Sequence, residues 1–204
     1  MVRVILVRHG ETDWNKIRRI QGGGSDTQLN ERGEQQAESL AFRLSQERIQ
    51  AIYSSALHRA LDTAQAIAGY HQLEVEIEPS LNEISAGELE GVLMERMGGR
   101  LDQLLTGGGQ GDVTFKIPGG ESLSEVQQRA WRTTQRLVNQ HPDGVIVVVS
   151  HYFIILTTIC AVLDLPLSQI DRLSLSPGSI STIVFDGQTP RLVLFNDSCH
   201  LKNI

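Results

Sequence analysis

Arg8-His9-Gly10 follows a short apolar run, Val4 to Val7, and Ser150-His151 follows another, Val145 to Val149. Each run reads as a buried strand whose end turns polar. In open α/β sheets the carboxyl ends of the strands form the rim where ligands bind. Arg8 offers a planar fork of donors suited to phosphate. His9 carries an imidazole that can attack phosphorus, and Gly10 lets the backbone approach a ligand closely. A third strand-like run, Ala51 to Tyr53, leads into Ser54-Ser55 and on to Arg59. Glu83 stands ahead of the turn Gly87-Glu88-Leu89-Glu90-Gly91. Phosphoryl transfer needs a nucleophile, cations on the phosphoryl oxygens and a proton for the leaving oxygen, and these residues are of those types.

Such groups converge only if the chain supplies the elements to hold them. Strand-like and helix-like segments alternate, which predicts an α/β fold with a largely parallel sheet. The strands are expected at 3–7, 51–54, 75–78, 145–149, 180–185 and 191–195. The last two flank Asp186-Gly187, a turn signal, and are expected as an antiparallel hairpin. Ala37, Leu40, Ala41 and Leu44 recur at helical spacing, with Asn30 as a cap. Leu57, Leu61, Ala64, Ile67 and Ala68 repeat that logic. Leu123, Val126, Ala130, Leu137 and Val138 mark a third helix, entered through Ser122 and Glu125 at capping-box spacing. Leu156, Ile159, Cys160 and Leu163 mark a fourth. Gln21 to Asp26 and the glycine-rich stretch Gly98 to Gly120 read as loops. The segment from about 80 to 122 is expected to fold over the site as a cap-like insertion in a single 1–204 domain.

Composition narrows the partners. The 204 residues are 40% hydrophobic and 21% charged, ordinary for a soluble globular domain. A net charge of −6 offers no basic field for nucleic acid, so an anionic substrate must be held by local cations. The 2 cysteines, Cys160 and Cys199, lie far apart and form no zinc-type cluster, which suits free thiols in the cytoplasm. Val145 to Leu163 is long and nearly uncharged. Its Val/Ile-rich first part, the Ser150-His151 join and a helical second part read as strand, loop and buried helix, not as a membrane span. No signal peptide is evident.

Taken together and in this order, the Arg8-His9-Gly10, Ser54-to-Ala64, Leu81-Asn82-Glu83 and Ser150-His151 segments resemble the histidine phosphatase superfamily, the phosphoglycerate mutase-like group. The resemblance covers nearly the whole chain. It implies a three-layer α/β/α sandwich, its sheet mostly parallel with an antiparallel edge. It implies a phosphatase that uses neither metal nor other cofactor. His9 would be the nucleophile, forming a phosphohistidine. Arg8, Arg59 and a protonated His151 would grip the phosphoryl oxygens, and Glu83 would be the proton donor and acceptor. Asn15, Gln21 and Gly22 match positions that contact phosphate, and Pro118 to Ser122 matches as a turn and helix cap. His200 either reaches the leaving-group pocket or docks the tail. One departure is Tyr152, where the family usually has a small residue. Its amide can still donate to phosphate, while its ring either narrows the pocket or points into the core.

The implied substrate is a small phosphomonoester: phosphoserine, a ribazole phosphate, a sugar phosphate or a phosphoglycerate derivative. The alternative is a cofactor-dependent phosphoglycerate mutase. Those enzymes carry paired arginines over the site, whereas Gly91 to Gly120 holds only Arg96, Arg100 and Lys116. A non-catalytic binding protein on the same fold is the third reading, opposed by the intact set Arg8, His9, Arg59, Glu83 and His151. An edge strand would allow a homodimer, though nothing in the sequence requires one.

Overall fold

The computed structural model describes residues 1–97, 111–187, 189–202 and 204. Of the expected loop 98–120, residues 98–110 therefore lie outside the described residues. Six strands form one sheet: β1 (Val2–Arg8), β2 (Ile49–Ser54), β3 (Val75–Ile77), β4 (Gly144–Ser150), β5 (Ile180–Phe185) and β6 (Arg191–Asp197). Their order is β3-β2-β4-β1-β5-β6. The pairs β2–β3, β2–β4 and β1–β4 are parallel, whereas β1–β5 and β5–β6 are antiparallel. The expected hairpin is present at this antiparallel edge.

Among the described residues the α-helices are α1 (Asp13–Lys16), α2 (Glu31–Leu44), α3 (His58–His71), α4 (Leu123–Gln140) and α5 (Tyr152–Val162). Alternation along the central strands sorts them into two layers. Ile5 and Val7 of β1 face the side covered by Leu40 and Leu44 of α2 and Ala64 and Ile67 of α3. Val4 and Leu6 face the side covered by Val126 and Leu137 of α4 and Ile155 and Ile159 of α5. A one-residue slip of β1 would exchange these faces. The result is a three-layer α/β/α sandwich with a mostly parallel sheet and an antiparallel edge.

Local signals account for the helix limits. Asn30 Oδ1 accepts from Gly33 N–H at the start of α2 (2.9 Å). Ser122 and Glu125 close a reciprocal capping box on α4, worth about 1 kcal/mol. Leu163, expected inside the fourth helix, lies beyond its end and is 47% exposed. The chain turns there because Asp164 adopts a left-handed φ of 51° and Pro166 follows. Leu57 likewise sits just outside α3, as its cap. The stretch Val145 to Leu163 is strand, turn and helix, and no helix among the described residues is long and apolar enough to cross a membrane.

Register sets the site. Arg8 pairs with Ser150 across β1 and β4, and Ser54 pairs with Val149 across β2 and β4. Three parallel strands thus end level, delivering His9, Ser55 and His151 to one rim. The Ser55 N–H donates to the Val149 carbonyl (3.1 Å) and the His9 N–H to the Ser150 carbonyl (3.1 Å), extending the ladder one step past the strands.

Candidate active site

His9 is 3% exposed and its Nδ1–H donates to its neighbour's carbonyl, Gly10 O (2.7 Å). A carbonyl only accepts, so the ring proton sits on Nδ1 and the neutral ring keeps its lone pair on Nε2. Burial, then the charges of Arg59 and Arg8, hold the His9 pKa well below 6.5, against a smaller opposing pull from Gly10. The sequence reading gave Gly10 to a ligand. The structure assigns it to helix packing, because a Cβ there would lie 2.4 Å from the Gly33 carbonyl oxygen at the start of α2.

His151 is fully buried, its ring centroid 5.1 Å from that of His9. Its Nε2 meets Ser55 Oγ (2.7 Å), which itself accepts from the Leu57 N–H (3.1 Å). The Nδ1 atom is buried without a partner. Burial and then Arg59, His9, Arg8 and Arg129 hold its pKa well below 6.5. Desolvation and three guanidinium groups thus favour the neutral ring, and the protonated form expected from sequence is one that a bound dianion would have to stabilise. A Ser55 hydroxyl that donates to Nε2 would leave the His151 proton on Nδ1.

Arg8 donates from Nη1 to the Leu175 carbonyl (2.6 Å) and lies under the Tyr152 ring, 5.1 Å from its centroid. Its Nε is buried and unpartnered. Tyr152 lines the cavity and its hydroxyl donates to the Leu173 carbonyl (3.4 Å). Of the two alternatives for this ring, the structure favours a place on the pocket wall. Glu83 is 5% exposed, with Oε1 accepting from Ile84 N–H (2.8 Å) and Oε2 from Phe153 N–H in the first turn of α5 (3.2 Å). Burial raises its pKa above 4.5 and outweighs those two amides and the charges of Arg59 and Arg8.

These groups open onto a cavity of about 700 Å³ whose lining includes Arg8, His9, Asn15, Gln21, Gly22, Glu83 and Tyr152. Asn15 Oδ1 accepts from Thr12 N–H (3.2 Å), closing a capping box on α1. Arg59, His151 and His200 are not on that lining. Arg59 is fully buried and donates to the carbonyls of Ser25 (2.7 Å) and Gly22 (3.1 Å). With the Gln21 amide oxygen turned to it, Gln21 also accepts from Arg59 Nε (2.8 Å). Arg59 thus fastens the 21–25 loop. The Gly22 N–H, expected to face phosphate, donates to Glu90 Oε1 (2.7 Å), because that carboxylate also takes the Ser25 hydroxyl. His200 docks the tail: its Nε2 donates to the Gly178 carbonyl (3.0 Å), and its own carbonyl accepts from Ser39 Oγ (2.7 Å).

Sequence reasoning missed Arg129, on α4. Its Nη1 donates to the carbonyls of Ser80 (2.8 Å) and Asn82 (2.7 Å), its Nη2 to that of Glu83 (3.2 Å), and its fork to Glu121. Ser150 Oγ adds a bond to the Leu81 carbonyl (2.7 Å). The backbone carrying Glu83 is therefore anchored from two elements. The one available signal was Glu121 beside the Ser122 cap, too generic to point to Arg129.

The two neutral rings make acid stability a direct readout. A histidine depressed on folding stays neutral in the native state while the unfolded chain binds protons below about 6.5. The contribution is intact above that pH and is lost as pH falls through it. Each ring can steepen the loss by at most about 1.4 kcal/mol per pH unit. Denaturant midpoints measured from neutral pH downward are expected to show this slope, and His151→Gln to reduce it. An unchanged slope in that variant would show that His151 titrates normally.

The comparisons with known proteins agree with this geometry. Residues 4–198 match the profile of the histidine phosphatase superfamily (branch 1). Phosphoserine phosphatase 1 of Hydrogenobacter thermophilus is 35% identical over 201 residues, covering 98% of this chain and 95% of its own. A probable phosphoglycerate mutase, GpmB, of Serratia proteamaculans is 37% identical over 183 residues, covering 90% and 85%. Among solved structures, the phosphoserine phosphatase of Entamoeba histolytica in complex with 3-phosphoglyceric acid superposes with a TM-score of 0.86 at 34% identity, over 98% of this chain and 100% of that one. The chain belongs to the histidine phosphatase superfamily, branch 1.

Proposed function

We propose that this protein hydrolyses small phosphomonoesters through a phosphohistidine on His9. The observation that carries the reading is the free lone pair of His9, with the His151 ring 5.1 Å away and Arg8 on the same cavity wall, while Arg8 Nε and His151 Nδ1 are among the buried atoms without a hydrogen-bond partner. A buried polar atom with no partner is costly, and an anion bound against the His9 ring would satisfy both. The relatives named above, a phosphoserine phosphatase and one bound to 3-phosphoglyceric acid, support a phosphate-ester substrate.

In the first step His9 Nε2 gives its electron pair to phosphorus, the ester P–O bond breaks, and the leaving oxygen takes the Glu83 proton. In the second, water attacks the phosphohistidine and gives a proton to Glu83, and the P–N bond breaks to release phosphate. Arg8 and His151 stabilise the phosphoryl oxygens, Arg59 adds charge while holding the 21–25 loop, and Asn15 and Gln21 complete the phosphate contacts. The tethered Glu83 lies where burial favours its protonated form. In this reading residues 1–204 act as one domain and the segment of about 80–122 caps the site, supported by cavity residues Ile84, Leu89, Met94 and Ile117.

The mutase reading lacks paired arginines in the 91–120 stretch, where Lys116 is tied to Glu125 Oε1 (2.8 Å), but Arg18 and Arg19 on the cavity wall keep it a reading for the assay to decide. Phosphate release from a panel of monoesters in chelator-treated buffer, with phosphoglycerate isomerisation run alongside, tests the proposal. Turnover of one ester above the rest without isomerisation is the expected result. Rapid isomerisation dependent on a bisphosphate primer would replace it with a mutase.

A further inference from the structure

The cavity exceeds what a phosphoryl group needs. A volume of about 700 Å³ lies in the range that encloses a whole small molecule. Away from His9, Arg8 and Glu83, the wall divides by chemistry. Ile84, Leu89, Ile117, Phe153, Leu156 and Ile170, drawn from four separate stretches of chain, form an apolar belt. Arg18 and Arg19 line the cavity as well.

Neither arginine has an ion-pair partner among the described residues. Arg19 spreads its guanidinium over the Trp14 ring, 5.3 Å from the centroid, with its Nε buried and unpartnered. Arg18 adopts a left-handed φ of 53°, disfavoured for a residue with a Cβ. The turn is closed by Arg18 N–H donating to the Asn15 carbonyl (3.1 Å), and by Met94 N–H donating to the Arg18 carbonyl (2.9 Å). In an extended segment consecutive side chains point to opposite faces, yet here both reach one cavity. The acid groups lie on other stretches of the wall: Glu83 is held by two amides, and Asp171 stands with Ser174 in the 167–177 stretch.

From this arrangement we infer that the site takes a phosphomonoester whose leaving group is an apolar span ending in a carboxylate, the carboxylate being held by Arg18 and Arg19. The inference rests on the phosphatase reading above. The belt removes the span from water, and the guanidinium forks of these two consecutive residues suit a carboxylate through charge-assisted bonds. Arg19, short of a partner for its Nε, gains one on binding.

The test is a series of phosphorylated ω-hydroxy carboxylic acids of increasing chain length, each beside its uncharged carboxamide. Values of kcat/KM are expected to rise by about fourfold per methylene laid on the belt. The acid is expected to exceed its amide by about tenfold or more once the chain reaches the arginines. Combining Arg18→Gln with Arg19→Gln should raise KM for the acids alone, and Arg19→Lys should keep most of the preference. Equal efficiency of acid and amide at every length would overturn the inference while leaving the phosphatase intact. So would a double variant that slows both series alike. Failure to hydrolyse any ester, p-nitrophenyl phosphate included, would overturn the phosphatase reading and this inference with it.

Discussion

His9→Ala is expected to lower kcat by about four orders of magnitude or more, the scale on which loss of a nucleophile is felt. No other imidazole can take over. His151 Nε2 is engaged by Ser55, and the ring is not on the cavity lining. The fold should survive. The ring makes one hydrogen bond, to Gly10 O, and burying it beside Arg8 and Arg59 disfavours its charged form. The strand ladder around it runs through backbone groups, His9 N–H to Ser150 O among them. Circular dichroism and a thermal melt check folding. Brief exposure to a labelled ester followed by alkaline quench checks for base-stable, acid-labile phosphate on the protein. A variant that still turns over at more than about one per cent of the wild-type rate would exclude His9 as nucleophile.

Glu83→Gln is expected to cost about 10²–10⁴-fold on alkyl phosphates and much less on activated aryl phosphates, whose leaving oxygens need little protonation. The amide preserves the size of the side chain but can hold no transferable proton. The pH profile carries the same message. Burial lifts the Glu83 pKa above 4.5, so the protonated acid persists further toward neutrality than an exposed carboxyl would. Activity on alkyl esters should therefore fall as pH rises through that raised value, as the acid form is lost, and Glu83→Gln should abolish this alkaline limb. Equal losses on both ester classes would mean that Glu83 is not the acid.

Much of the fold was legible because its signals are local. The six strands are apolar or alternating runs, and α4 announces itself through the Ser122–Glu125 capping box. Residue types at strand ends then pointed to His9 and His151, and the glycine-rich turn after Glu83, with the family resemblance, pointed to that carboxylate. What the sequence hid depends on partners far along the chain. Gly10 looked like a ligand-facing glycine, yet its constraint comes from Gly33 on α2. Gly22 looked like an anion-binding amide, yet Glu90, 68 residues later, takes its N–H. Arg59 looked like a free cation, yet carbonyls of Gly22 and Ser25 occupy it. Arg129 carries no motif, and its role emerges only when α4 packs beneath the Glu83 segment.

The unpartnered atoms Arg8 Nε, Arg19 Nε and His151 Nδ1 have a consequence for anyone who would stabilise this protein. They are weak points of the empty fold, where an apolar residue of similar shape would raise the melting temperature. Arg3 Nε, His71 Nε2, Ser179 Oγ and His200 Nδ1 are buried without partners as well, so selection for thermal endurance alone would act on residues of the proposed site and on others alike. In this chain the stability optimum and the functional optimum lie apart, and the distance between them is concentrated in a few buried nitrogens.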